Sequence, residues 1–279
     1  MIIKEFSLAA GDTDLIRITG YGLENISSKA CLIFVHGFKG FKDWGFGPYL
    51  ARYFADKGLC VLTFNFSHNG IGDNPLEFSE IDKFASNTYS REVAELSAVV
   101  EAYKVGFFGA PPVSPKPVLL GHSRGGAIAL LTAARKPEVK AVALWASVSK
   151  LDRYSKRQKT EWRKRGFMEV RNQRTGQVMR LNASLLEDLE ENSGDLLNIK
   201  KAVETLDRPL LIAHGDQDLA VQLKEGEELY SWSDKSKTEF FKLYATGHTF
   251  DVKHPFEGSN EKFERLLKKT YDFIITNVK

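Results

Sequence analysis

Apolar residues in this chain gather in short uninterrupted runs, and longer stretches of helical spacing separate those runs. Polar and apolar alternation over Phe6–Tyr21, broken at Gly11-Asp12 and Gly20, predicts an antiparallel hairpin. Ala30–Val35, Leu59–Phe66, Val118–Gly121, Val139–Trp145, Pro209–Ala213 and Thr238–Tyr244 read as strands. Helices are predicted over Pro48–Lys57, stopped by Gly58, and over Tyr89–Tyr103, where Val93, Leu96, Val99 and Val100 share a face. Further helices run from Arg124 to about Lys136-Pro137 and around Leu223–Ser231, with a closing helical region over Phe256–Ile275. Repeated buried strand, helix, buried strand units imply an α/β fold: a mostly parallel sheet covered on both faces, with right-handed crossovers.

The pattern changes after Ser149. Leu151–Arg165 is strongly basic and helical in tendency, Phe167–Leu181 reads as a short hairpin around Arg174-Thr175-Gly176, and Leu185–Leu197 is acidic and partly amphipathic. The chain is therefore expected to be one domain over residues 1–279, with a small cap inserted at about 151–206 over the sheet edge that carries the site. Its basic block can attract anionic substrates or headgroups, although mutual neutralisation by the acidic segment explains the same charges.

Length and composition narrow the partners. With 279 residues, 43% of them apolar, the chain can build one well-developed core. A net charge of +3 is small for this length and gives no reason to infer a nucleic-acid partner. The charge-free runs are too short to span a bilayer, so stable membrane insertion is not expected. The first residues lack the apolar stretch of a secretory signal, which makes the cytoplasm the expected location. Cys31 and Cys60 lie in apolar runs, as buried free thiols do, and neither has the partners of a zinc site. Neither a phosphate-binding Walker A loop nor a Gly-x-Gly-x-x-Gly fingerprint is present, and no cofactor or metal is expected.

The chemistry concentrates at predicted strand ends. Gly121-His122-Ser123-Arg124-Gly125 places a serine between glycines where a buried strand meets an apolar helix, matching the G-x-S-x-G elbow in the context that motif requires. A helix-capping serine in a glycine-rich turn would account for the turn alone. A hydroxyl is a weak nucleophile at neutral pH and needs a base. His248, after the last predicted strand, sits on a flexible loop that can reach back to the elbow. Asp218, just beyond the strand ending at Ala213, completes the chain order serine, acid, histidine. Asp216 competes for that role, but the extra loop residues give Asp218 more reach. The backbone N–H groups of Arg124 and of Phe38, in His36-Gly37-Phe38, are the expected oxyanion donors. Phe38, Phe41, Trp44, Phe46 and Trp145 are candidates to line an acyl or aromatic pocket, and His68 to edge it. The Arg124 side chain is open between a substrate anion, an acid of the Asp218 loop, and solvent.

These residues together resemble the α/β-hydrolase superfamily, particularly small bacterial serine carboxylesterases and cinnamoyl or feruloyl esterase-like enzymes. The resemblance covers almost the whole chain through His36-Gly37-Phe38, the elbow, Asp218 and His248. It implies an eight-stranded, mainly parallel core with a short cap, and metal-independent hydrolysis of a small-molecule ester, one with an aromatic acyl group fitting the candidate pocket. Arg124 departs from the smaller or apolar residue many relatives carry there, which puts close substrate transfer in doubt. The alternatives are a serine aminopeptidase or amidase, a thioesterase, and a non-enzymatic ligand-binding protein on the same scaffold.

Overall fold

In the computed structural model, which describes residues 1–11, 13–27, 29–173 and 175–278, the chain opens with the antiparallel pair Ile3–Ala9 (β1) and Leu15–Tyr21 (β2). Asp12 in the connecting turn, and Arg174 at the later predicted hairpin tip, lie outside the described residues. The βα units follow: Cys31–Val35 (β3), Gly47–Asp56 (α1), Cys60–Asn65 (β4), the short Ile81–Ala85 (α2), Tyr89–Lys104 (α3), Pro117–His122 (β5), Arg124–Ala133 (α4) and Ala141–Trp145 (β6).

Between β6 and the next sheet strand lie Lys156–Arg165 (α5), the antiparallel pair Phe167–Arg171 (β7) and Val178–Asn182 (β8), Ala183–Asn192 (α6) and Ile199–Glu204 (α7). The sheet resumes with Leu210–Gly215 (β9), Leu223–Trp232 (α8), Thr238–Leu243 (β10) and Glu261–Asn277 (α9).

The eight-stranded sheet has the order β1-β2-β4-β3-β5-β6-β9-β10, antiparallel from β1 to β4 and parallel from β4 onward. This is the α/β class that the apolar runs predicted. The reason lies in the central strands, which are buried on both faces. In β3, Cys31, Ile33 and Val35 pack with α3 and α4, while Leu32 and Phe34 pack with α1 and α9. Cys31 and Cys60 face each other across β3 and β4 as free thiols, with Sγ atoms 3.9 Å apart and both residues fully buried.

The excursion after β6 shares the first of these cores rather than building one of its own. Trp162, Met179, Leu181, Leu185, Leu186 and Leu189 join the cluster that contains α3 and α4. Trp162 also donates from Nε1 to the Leu181 carbonyl at 2.9 Å. The Ser155 capping box starts α5 and Gly166 in the left-handed region ends it, so that the chain turns directly into β7. Among the described residues, no helix is long and apolar enough to cross a membrane.

Candidate active site

Parallel strands deliver their C-terminal ends to one edge of the sheet, and the predicted chemical residues follow those ends. Ser123 links β5 to α4 with φ 58° and ψ −124°, a conformation costly for a residue with a Cβ. The turn is held by its N–H, which donates to the Trp145 carbonyl at 2.9 Å, and by its carbonyl, which accepts from Gly126 at 3.0 Å. Close approach explains the glycines: a Cβ on Gly125 would lie 2.3 Å from the Val35 carbonyl oxygen and 2.4 Å from that of His36. The Ser123 side chain does not cap α4, which removes the helix-capping account of this serine. Its hydroxyl instead faces a cleft that His248 also lines.

His248 donates from Nδ1 to Asp218 Oδ2 at 2.7 Å, leaving Nε2 as the basic atom on the other side of the ring. Asp218 is buried, and its Oδ1 accepts from the N–H groups of Ala220 at 2.9 Å and Val221 at 2.8 Å. Burial alone would raise this carboxyl, but the hydrogen bond and charge of His248, the Val221 N–H and His214 together hold it below the usual aspartate value. Asp216 does not reach the histidine; one of its carboxylate oxygens is buried without a partner. His214 donates from Nε2 to the Val221 carbonyl at 2.8 Å and so braces the acid loop.

The histidine loop, expected to be flexible, is tied at several points. Asp251 accepts from the Gly247 N–H at 3.2 Å and pairs with Lys262 at 2.7 Å, and Asn260 donates to the Phe250 carbonyl at 3.0 Å. His122, the residue before the serine, donates from Nε2 to the His248 carbonyl at 2.9 Å. Burial, reinforced by the adjacent His248, pushes the His122 pKa down to about 3, so its ring stays neutral and its tautomer is fixed by that bond. The motif leaves this position open to any residue, so only the three-dimensional approach of the two loops reveals the tether.

The loop after β3 supplies the second side of the turn. Neither the Phe38 nor the Arg124 backbone N–H donates to a protein acceptor among the described residues, so two donors beside Ser123 are available. His36 supports the loop from within: Nδ1 donates to the Gly37 carbonyl at 3.0 Å, and Nε2 faces Asn69 Nδ2 at 3.4 Å. Burial pushes the His36 pKa down to about 4, which keeps Nε2 an acceptor.

The Arg124 side chain pairs with an acid, but not with one of the Asp218 loop. It donates to Glu92 on α3 at 2.6 Å and lies over the rings of Phe38 at 4.6 Å and Tyr89 at 5.5 Å. Glu92 is buried, which raises its carboxyl, while Arg124 and the Asn87 amide favour the charged form. Phe38 is also stacked on Phe84, with ring centroids 5.7 Å apart.

An aromatic-lined cavity of about 200 Å³ opens at Ser123 and includes Phe34, Phe38, Phe41, Trp44 and Phe46. Of the six candidates, the structure thus brings Phe38, Phe41, Trp44 and Phe46 to the cleft but not Trp145 and His68. Trp145 is fully buried among Phe46, Phe250 and Phe263 and donates from Nε1 to Thr270 at 3.0 Å, so it is a core plug beneath the sheet edge. His68 is buried away from the cavity, with Nδ1 2.7 Å from Ser67 Oγ and Nε2 3.8 Å from Asp14. The cavity also draws Asn172 and Gln173 from the segment after β7, which no strand-end argument anticipates.

Comparison with known proteins agrees with this architecture. The putative hydrolase from Agrobacterium vitis S4 is similar over 98% of this chain and 100% of its own, with TM-score 0.74 and 17% identity. Est1E from Butyrivibrio proteoclasticus, in a structure with ferulic acid bound, is similar over 98% of both chains with TM-score 0.70 and 17% identity. A monoacylglycerol lipase from Paleococcus ferrophilus matches over 94% of this chain and 99% of its own, with TM-score 0.67 and 15% identity. No curated protein sequence matches. The model of the alpha/beta hydrolase family matches residues 32–257, a span that holds the elbow, the acid loop and the histidine loop, and the chain belongs to that family.

Proposed function

We propose that this hydrolase cleaves carboxylic esters through a serine acyl-enzyme, with Ser123 as nucleophile, His248 as general base and Asp218 as the acid behind it. The observation that carries the reading is the 2.7 Å Asp218–His248 hydrogen bond beside a serine whose hydroxyl makes no hydrogen bond among the described residues and which lines the same cleft as the histidine. Ser123 Oγ attacks the ester carbonyl carbon as His248 Nε2 takes its proton, and the C=O electron pair moves onto oxygen. That oxyanion accepts from the Phe38 and Arg124 N–H groups. Collapse of the intermediate expels the alcohol, which receives the proton from His248, and a water activated by the same imidazole then hydrolyses the acyl-enzyme.

Asp218 selects the Nδ1-protonated tautomer and stabilises the imidazolium formed at each attack. The aromatic cavity supports an apolar or aromatic group beside the scissile bond, and the excursion at about 151–206 acts as a cap whose hairpin closes one wall.

A fluorophosphonate probe followed by mass spectrometry tests the assignment. A single adduct on Ser123, absent in a folded Ser123→Ala variant that has lost ester turnover, is expected. An adduct on another residue, or unchanged turnover in the variant, overturns it; amide turnover without ester turnover overturns the choice of substrate bond.

A further inference from the structure

The cleft has two arms, and they differ in charge. Phe38, Lys39, Ser123 and His248 line both, so the proposed nucleophile stands at their junction. The first arm is the aromatic cavity. The second, of about 370 Å³, runs between Tyr89, Val148, Leu151 and Tyr154 and adds Arg124, Lys150 and Arg153 to the shared Lys39, without an aspartate or glutamate among its described lining residues.

These cations are not equivalent. Arg124 is matched by Glu92 at 2.6 Å, and Arg153 by Glu225 at 2.6 Å, with a further bond from Arg153 to the Ala220 carbonyl at 3.2 Å. Both guanidiniums are spoken for by the scaffold. Lys150 makes no hydrogen bond or ion pair among the described residues, although it follows Ser149, whose N–H donates to Glu225 at 3.0 Å and fixes the backbone there. The exposed Lys150 ammonium therefore stands at the wall of this arm together with Lys39, and is paired to no carboxylate among the described residues, although the neighbouring cleft that it also lines carries Asp152, Glu225 and Glu228. The hydroxyls of Tyr89 and Tyr154, 3.3 Å apart, add polar groups on the same wall.

We infer that the second arm binds a carboxylate carried by the substrate, with Lys150 as the specificity-determining residue, so that the ester has an aromatic or apolar group on one side of its scissile bond and a monoanion on the other. The inference rests on the ester-hydrolase reading for the position of the scissile bond, while its consequence for binding is measurable without turnover.

The test uses full-length Ser123→Ala protein and calorimetric titration with amide analogues, which place an aryl group and a carboxylate on opposite sides of a carbonyl. N-phenylsuccinamate carries its carboxylate on the acyl side and hippurate on the leaving side; N-phenylsuccinamide and hippuramide are their neutral counterparts. One of the two anions is expected to bind about tenfold more tightly than its neutral partner, the scale of one charge-assisted hydrogen bond. That ratio should collapse in Lys150→Gln, survive in Lys150→Arg and shrink as salt is raised. Equal binding within both pairs, failure of both anions to bind, or an anion preference that persists in Lys150→Gln overturns the inference. Failure of the probe to label Ser123 would instead strike the hydrolase reading, leaving the binding ratio to stand or fall separately.

Discussion

Asp218 has both oxygens committed, one to the histidine and one to two backbone N–H groups of its own loop. Replacing it with asparagine keeps the size but puts an amide N–H₂ where the carboxylate accepted. The favoured His248 tautomer then carries its proton on Nε2, where the lone pair is needed. Asp218→Asn is expected to lower kcat by about a thousandfold or more while the fold persists. Steady-state kinetics on an aryl ester, with circular dichroism as the control for folding, checks it.

Residues of this kind were legible in the sequence because each stands just past a short apolar run and so at a strand end. Trp145 shows the limit. A strand buried on both faces gives no signal for which face a terminal aromatic takes, and this one turned into the layer of α1 and α9. The Arg124–Glu92 pair was equally hidden, since only the packing of α3 on α4 brings the two together.

At the scale of elements, the unexpected point is how firmly the 151–206 excursion is attached. The change in pattern after Ser149 marks where it begins, but a run of basic residues says little about what lies beneath. Its anchor is Trp162, 1% exposed, in edge contact with Tyr154 at 5.0 Å and bonded to the Leu181 carbonyl. α7, although it falls within the 151–206 insertion that the sequence pattern predicts, packs against α4 and α8 and so joins the helical layer of the main sheet. Trp162→Ala should cost about 3 to 5 kcal/mol, the usual range for emptying a buried aromatic site. Denaturant unfolding should show a lower midpoint in one transition, because the excursion and the sheet share a core. Two separated transitions would mean that the excursion unfolds by itself.

For the whole molecule, histidines depressed by burial couple stability to pH; His68 and His214 are lowered too, but His122 and His36 carry the largest shifts. His122 and His36 titrate normally near 6.5 when unfolded but are pushed to about 3 and about 4 in the native state. Between pH 6.5 and about 4 the unfolded chain binds more protons at these positions, so stability falls as pH falls through that window. Each contributes a slope of up to about 1.4 kcal/mol per pH unit. Asp218, held below its ordinary value, acts in the same direction at still lower pH: its stabilisation is present above the unfolded carboxylate pKa and is lost as pH falls through the folded one. Unfolding free energies at pH 7 and pH 5 should differ accordingly, and replacing His122 with glutamine should remove its share of the slope.

The facing pair Cys31 and Cys60 turns the molecule into its own gauge of opening. Both sulfurs are sealed between the sheet and its helices, and burial holds the Cys31 thiol well above its ordinary pKa, so an alkylating reagent in solution reaches neither sulfur until β3 and β4 come apart. The fraction of chains labelled over time then counts excursions from the native state without any added reporter.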